Sequence, residues 1–286
     1  MDSVYHEGEL YMQELMGVRD KSDSLSSMIK KEMPIAAQEF LKTLNFCVIT
    51  FSMDYIELFS SVVFNIKPFI EIVKTDEIVI NLDKKSFIPD EIIKSNKVNI
   101  GFIGLAFQSR KRIRVNGKGK IINNKLHLKI DEVYANCPKY IHDRKLVDEI
   151  NFQDSFKLYH YSKFNKECKT IIENTDTFFL SSCHNERGVD VSHKGGQKGF
   201  LRVTSSNNLE FDDYPGNNMY NSLGNIYTNP NVNIIVVDFK ENKILHISGE
   251  ASTVIQEQNE KKKIKVKITT TNIKLEKNSF SLKYDK

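Results

Sequence analysis

Ser192, His193 and Lys194 stand in a row and are followed by Gly195, Gly196 and Gly199. A hydroxyl, an imidazole and an ammonium at that spacing can donate to a phosphate or to the edge of a flat ligand. A lone His193 is more often structural or exposed than catalytic. The glycines either supply the positive φ of a hairpin or let backbone approach a planar ligand closely. Lys198 and Arg202 flank Phe200 and add positive charge. Further on come Asn217, Asn218, Asn221, Ser222 and Asn225. Asparagine is a poor helix former, because its amide competes for backbone hydrogen bonds. Asn217 or Asn218 is expected to cap a helix. Asn221, Ser222 and Asn225 would share one helical face, and a polar face at a helix N-terminus suits an anion. Arg110, Arg112, Arg114, Lys118 and Lys120 share one parity, so a strand puts them on one side. That side is either solvated or an anion site. His6, Glu7 and Glu9 are too short a pattern for zinc and read equally well as the acidic first turn of a helix. There is no GxSxG and no HExxH, so no metal and no catalytic residue is assigned.

These side chains need elements to hold them. The chain has 286 residues, 40% hydrophobic and 27% charged, which is ordinary globular composition. That length suits one large or two small domains and could bury about 75% of the unfolded surface. A net charge of +4 is too mild for a dedicated nucleic-acid binder. Cys47, Cys137, Cys168 and Cys183 form no CxxC, so reduced thiols and a cytoplasmic setting are expected. The acidic start carries no apolar signal region, and no apolar run approaches the ~20 residues of a membrane span.

An internal repeat organises the rest. Phe46–Ser52 matches Phe178–His184, Lys67–Ile72 matches Lys198–Val203, Val98–Ile103 matches Val232–Val237, and Val115–Gly119 matches Ile247–Ala251. The order is kept, so two duplicated units are expected, 1–150 and 151–286. Each reads as mainly β with a few helices, an α+β chain. Ile244–Ser248 alternates before a bend at Gly249, and 265–270 alternates as a half-buried strand. Helices are expected at Ile35–Leu44, after Pro34, and at Met219–Tyr227, between the Pro215–Asn218 turn and Asn229-Pro230. Residues 143–172 read as a connection containing helix.

The second unit contains HNERGVDVSHKGGQKGFLRV, then FDDYPGNNMYNSLGNIYTNPNVNIIVVDF, then LHISGEA. This text resembles the pyridoxamine 5'-phosphate oxidase-like family of FMN-binding split barrels. It is most similar to a subgroup with tandem split barrels. YHEGELYMQELMGVRD, RKRIRVNGKG and NCPKYIHDR in the first unit resemble the N-terminal half of that subgroup. The resemblance implies two tandem split β-barrels forming an intramolecular pseudo-dimer. It implies an FMN-dependent oxidoreductase or flavin-binding redox protein of unknown substrate. The implied site comprises Ser192, His193, Lys194, Lys198, Phe200, Arg202, Asn218, Asn221 and Ser222. Where split barrels place Lys or Arg on the flavin phosphate, this chain has Asn and Ser. The first unit lacks the family glycines, having Met53–Glu57 and Asn65–Phe69 instead, and reads as a scaffold. A non-enzymatic flavin or haem binder and a cofactor-free structural module are the alternatives. Small-molecule substrate, a separate electron donor and a homodimer are the partners the resemblance allows, with neither nucleic acid nor membrane.

Overall fold

The computed structural model describes residues 3–65, 67–82, 88–149, 156–258, 261–280 and 282–285. The expected domain boundary at 150/151 and Ile66 of the first unit lie outside them. Among these residues there are six α-helices: α1 (Glu7–Leu15), α2 (Arg19–Leu25), α3 (Ile35–Lys42), α4 (Asp90–Lys94), α5 (Lys166–Asn174) and α6 (Asn221–Thr228). The strands β1 (Phe46–Ser52), β2 (Phe59–Phe64), β3 (Ile70–Lys74), β4 (Glu77–Asn81), β5 (Val98–Ala106), β6 (Lys111–Ile122) and β7 (Lys125–Asn136) form one antiparallel sheet. Its order is β2-β1-β5-β6-β7-β4-β3. Next come β8 (Lys145–Glu149) and β9 (Lys157–Tyr161). A second antiparallel sheet holds β10 (Thr177–His184), β11 (Gly188–Gly195), β12 (Leu201–Val203), β13 (Asn208–Asp213), β14 (Asn231–Asp238), β15 (Lys243–Gln258) and β16 (Lys261–Lys277). Its order is β11-β10-β14-β15-β16-β13-β12, with β9 beside β16. Finally β17 (Leu282–Asp285) pairs with β8. No described helix is long and apolar enough to cross a membrane.

Strand for strand, the two large sheets share one order. The ladders also agree in detail. Gly117 faces Ile100 just past a register shift in β6–β7, and Gly249 faces Val232 just past one in β15–β16. Counting from these bulges, Arg112 and Arg114 occupy the places of Ile244 and His246. Ser61 and Val63 occupy those of Ser192 and Lys194. The same count moves two of the sequence matches: Ile100, not Val98, corresponds to Val232, and Val48, not Cys47, corresponds to Phe179. Apolar runs look alike at neighbouring offsets, and only the hydrogen-bonded ladder fixes register.

β1 and β10 are buried along their whole length. Each has its own hydrophobic core on one face, built around Phe51 and Phe102 in the first sheet and Phe178 and Phe211 in the second. Their other faces meet in a shared aromatic core of Phe46, Phe64, Phe107, Phe179, Phe239 and Phe280. A polar group in such a seam costs stability unless it is hydrogen-bonded. Thr50 and Ser181 sit at corresponding ladder positions and bond each other at 2.6 Å, with Ser60 also 2.8 Å from Thr50.

Several local expectations are corrected. α3 ends at Lys42, and α6 begins at Asn221, two residues later than expected. Neither Asn217 nor Asn218 caps it: the N-cap is Tyr220 at φ 61°, with no side-chain cap bond. The 143–172 connection contains strands β8 and β9 as well as helix α5. Arg110 lies outside β6 at φ 51°, so it does not share the face of Arg112 and Arg114. All four cysteines are free.

Candidate functional site

β6 of the first sheet lies against β11 and α6 of the second, and their polar side chains converge. Arg114 is buried, and its guanidinium bonds Ser192 Oγ and, at 3.1 Å, Tyr134 Oη. It also lies 3.5 Å from Asp190 Oδ1. Ser192 Oγ is 2.5 Å from Ser222 Oγ at the start of α6. Two residues earlier on β6, Arg112 Nη1 is 2.9 Å from His193 Nδ1. Among the described residues no carboxylate pairs with Arg112. Arg112 Nε, Arg114 Nε and His193 Nε2 are buried without a hydrogen-bond partner among the described residues.

The electrostatics follow from burial. Burial and the neighbouring Arg114 charge pull the Arg112 guanidinium down to about 10. Burial pushes His193 well below its ordinary value, and Arg112 adds to this, so the ring is neutral. Burial opposes the Arg114 charge as well, but Tyr134 and Asp190 outweigh it and hold its pKa above the ordinary value.

Behind this wall lies a buried network that α1 completes. A Cβ on Gly8 would sit 2.2 Å from Gly224 O, so α1 and α6 touch backbone to backbone. This contact slides Glu9 beneath α6. Its Oε1 accepts from Asn221 Nδ2 at 2.5 Å, and its Oε2 accepts from the His6 backbone N–H at 2.9 Å. Asn225 donates to Asp190 Oδ2 at 2.8 Å and to Ser182 Oγ at 3.1 Å. Burial, with Asp190 nearby, pushes Glu9 up to about 8. Burial, helped by His184, pulls His6 down to about 4. His6, Glu7 and His184 have ligand-type atoms within 4.8 Å of one another. Each His Nδ1 accepts a backbone N–H, from Gly8 and Glu186, at 3.1 Å. The proton therefore sits on Nε2, which donates to Asn225 Oδ1 in His6 and to Glu7 Oε1 in His184.

In front of the wall opens a cavity of about 430 Å³, continuous in its lining with a smaller one of about 90 Å³. Arg114, Ser192, Lys194, Asp213, Tyr214 and Asn217 border both. Lys194 is bound to Asp213 at 2.5 Å. Phe200 and Tyr214 stack at 6.4 Å and give the smaller part an aromatic side.

The structure thus brings together Ser192, His193, Lys194, Phe200, Asn218, Asn221 and Ser222 around one space. Lys198 and Arg202 border neither cavity. Lys198 is exposed, and Arg202 is held by Glu210 at 3.0 Å and Asp212 at 3.1 Å. Of Gly195, Gly196 and Gly199 only Gly199 has positive φ, at 81°. Gly195 is needed for close approach to the carbonyl of Tyr140, and Gly196 for the Phe200 ring, rather than for a ligand. Lys118 and Lys120 are exposed on the outer part of β6. Sequence reasoning missed Tyr134 and Asp190 as wall residues, and it noted Glu9 only as part of a short acidic turn. Asp190 alternates with Val189 and Val191, which reads as a solvent-facing position until a second sheet covers it.

No family model matches the chain, and no curated protein matches it. Solved structures are similar in fold. One is a Lactobacillus delbrueckii protein assigned as a pyridoxamine 5'-phosphate oxidase, at 12% identity and TM-score 0.34, covering 40% of this chain and 94% of the other. A second is an FAD-binding protein from Mesorhizobium loti, at 11% identity and TM-score 0.31, covering 42% and 96%. A third is the FAD-binding protein of Mycobacterium smegmatis, at 13% identity and TM-score 0.29, covering 43% and 97%.

Proposed function

We propose that the chain is two tandem split barrels, 1–150 and 151–286, packed as an intramolecular pseudo-dimer whose seam holds FMN for redox chemistry. The shared strand order and the Thr50–Ser181 contact support the tandem reading. The flavin reading is carried by one observation. Arg112 borders the smaller space and Arg114 borders both, each with its guanidinium Nε–H unpartnered, and Arg112 has no carboxylate, among the described residues. A buried cation without a counter-ion is costly, and an anion that enters the cavity relieves that cost. The planar fork of arginine suits a phosphate. Arg112, Arg114, Ser192 and Ser222 would hold the phosphate of the nucleotide, and Phe200 and Tyr214 would flank its flat part. Bound FMN supplies the electron-accepting ring, and a separate donor supplies the electrons. The protein contributes position and charge. The neutral His193 orients Arg112 and carries no charge of its own to the anion.

Titration of the purified chain with FMN and with riboflavin, which lacks the phosphate, tests the reading. Two charge-assisted hydrogen bonds, at about 1.5–3 kcal/mol each, predict that FMN binds at least about a hundredfold more tightly. Equal affinity for both, or no binding of either, overturns it.

A further inference from the structure

A second cavity, of about 500 Å³, lies at the other seam, where β2 of the first sheet approaches β14, β15 and β16 of the second. That volume falls within the ~300–1,000 Å³ typical of small-molecule sites. Its ladder positions repeat those of the first seam, but the chemistry differs. His246 stands where Arg114 does, Ser248 where Asn116 does, and Asn272 where Glu132 does. At the first seam these places belong to the charged network covered by the N-terminal segment, with Tyr5 packed on Tyr134. At the second seam they line open space.

The inner wall is rich in uncharged hydrogen-bonding groups, and half-buried Lys274 is its one cation. Asn233 is 3% exposed and lines the cavity. Its Nδ2 donates to Ser248 Oγ at 3.0 Å, while its Oδ1 is buried with no partner among the described residues. A buried, unpaired amide oxygen is costly and calls for a donor. His246 Nε2 lies 2.8 Å from Glu276 Oε1, outside hydrogen-bond geometry. The carboxylates bordering the space, Glu57 and Glu91, are exposed and oppose an anion. Leu58 and half-buried Phe59 give one apolar side. Amide and hydroxyl groups facing an apolar side, with no guanidinium, match a molecule that carries hydroxyls on an apolar ring or chain.

We propose that this second cavity binds a neutral polyhydroxy molecule, a monosaccharide or sugar alcohol. The inference is independent of what occupies the arginine-lined cavity.

The test follows the side-chain amide resonances of Asn233 and Asn272 by NMR in the full chain. The probes are D-glucose, D-ribose, sorbitol and inorganic phosphate. The expected result is a saturable shift of the Asn233 amide with at least one of the three neutral probes and none with phosphate. Asn272 is exposed, so Asn272→Ala keeps the fold and is expected to weaken binding about threefold to tenfold. Asn233→Leu is expected to weaken it at least as much. The double variant Arg112→Ile with Arg114→His is expected to leave it unchanged. Three results overturn the proposal: no saturable shift with any neutral probe, equal binding by phosphate, or unchanged affinity in Asn272→Ala.

Discussion

The two seam cavities occupy related places in sheets of one strand order, yet one is lined by guanidinium groups and the other by amides. The first carries Arg114, Lys194, Lys262 and Lys263 against Asp212 and Asp213. The second carries Lys274 against Glu57 and Glu91. A backbone that brings two sheets together makes two clefts. The side chains at a few inward positions decide what each cleft accepts. Arg112 and Arg114, against Ile244 and His246, are the clearest of those positions. The N-terminal segment adds a further difference, because it exists once and covers one seam alone. Its helix α1 can lie on α6 only because Gly8 meets Gly224.

The largest effect is expected from the core that both clefts share. Phe46 is fully buried, with Phe179 from the other sheet at 5.4 Å between ring centroids. Phe46→Ala should cost about 3–5 kcal/mol, read as a lower midpoint in denaturant unfolding. A cost below about 1 kcal/mol, far under that range, would mean the seam does not hold the halves together.

Next in size is the conversion of one cleft toward the other. Arg112→Ile with Arg114→His should weaken FMN binding at least about a hundredfold, read by titration. The reverse pair, Ile244→Arg with His246→Arg, probes whether charge alone makes an anion site, with appearance of a second FMN equivalent as the expected outcome. If the first pair leaves FMN affinity intact, the contrast between the clefts is not one of charge.

A smaller, pH-dependent effect isolates the segment that only one seam has. Glu9 is raised to about 8 in the folded chain by burial and Asp190, from an ordinary value of 4.5. A raised acid gives its full stabilisation below the unfolded pKa and loses it as pH climbs toward the folded one. Wild-type stability should therefore fall relative to Glu9→Gln between about pH 4.5 and 8, measured as the difference in unfolding midpoint across that window. A constant difference would show that Glu9 titrates normally. His6, lowered to about 4, runs the opposite way and loses stabilisation as pH falls below 6.5, so it cancels from the wild-type-minus-variant difference to the extent that the two act independently.

The smallest effect belongs to Lys198. It is exposed and borders neither cavity. Lys198→Ala should change FMN affinity by less than about twofold, since exposed charges contribute about 0–1 kcal/mol or less. A large loss would place the anion elsewhere.

By itself the sequence determined the elements whose signals are local. Period-two patterns marked the long β strands, Pro34 and Asn229-Pro230 bounded helices, and repeated apolar runs pointed to two similar halves. Local signals also gathered Ser192, His193, Asn221 and Ser222 into one candidate site. What they could not settle was which residues face which. Both faces of β1 and β10 are buried, so alternation no longer separates inside from outside, and Asp190 reads as solvent-facing when it is wall. Arg112 and Arg114 read as half of a basic stripe. Tertiary packing split that stripe, sending two arginines against β11 and leaving Lys118 and Lys120 in water. Glu9 and Asn221 are 212 residues apart, and no local periodicity links them. Only the close approach of α1 and α6 does so, because hydrogen bonds between distant segments form where packed backbones allow.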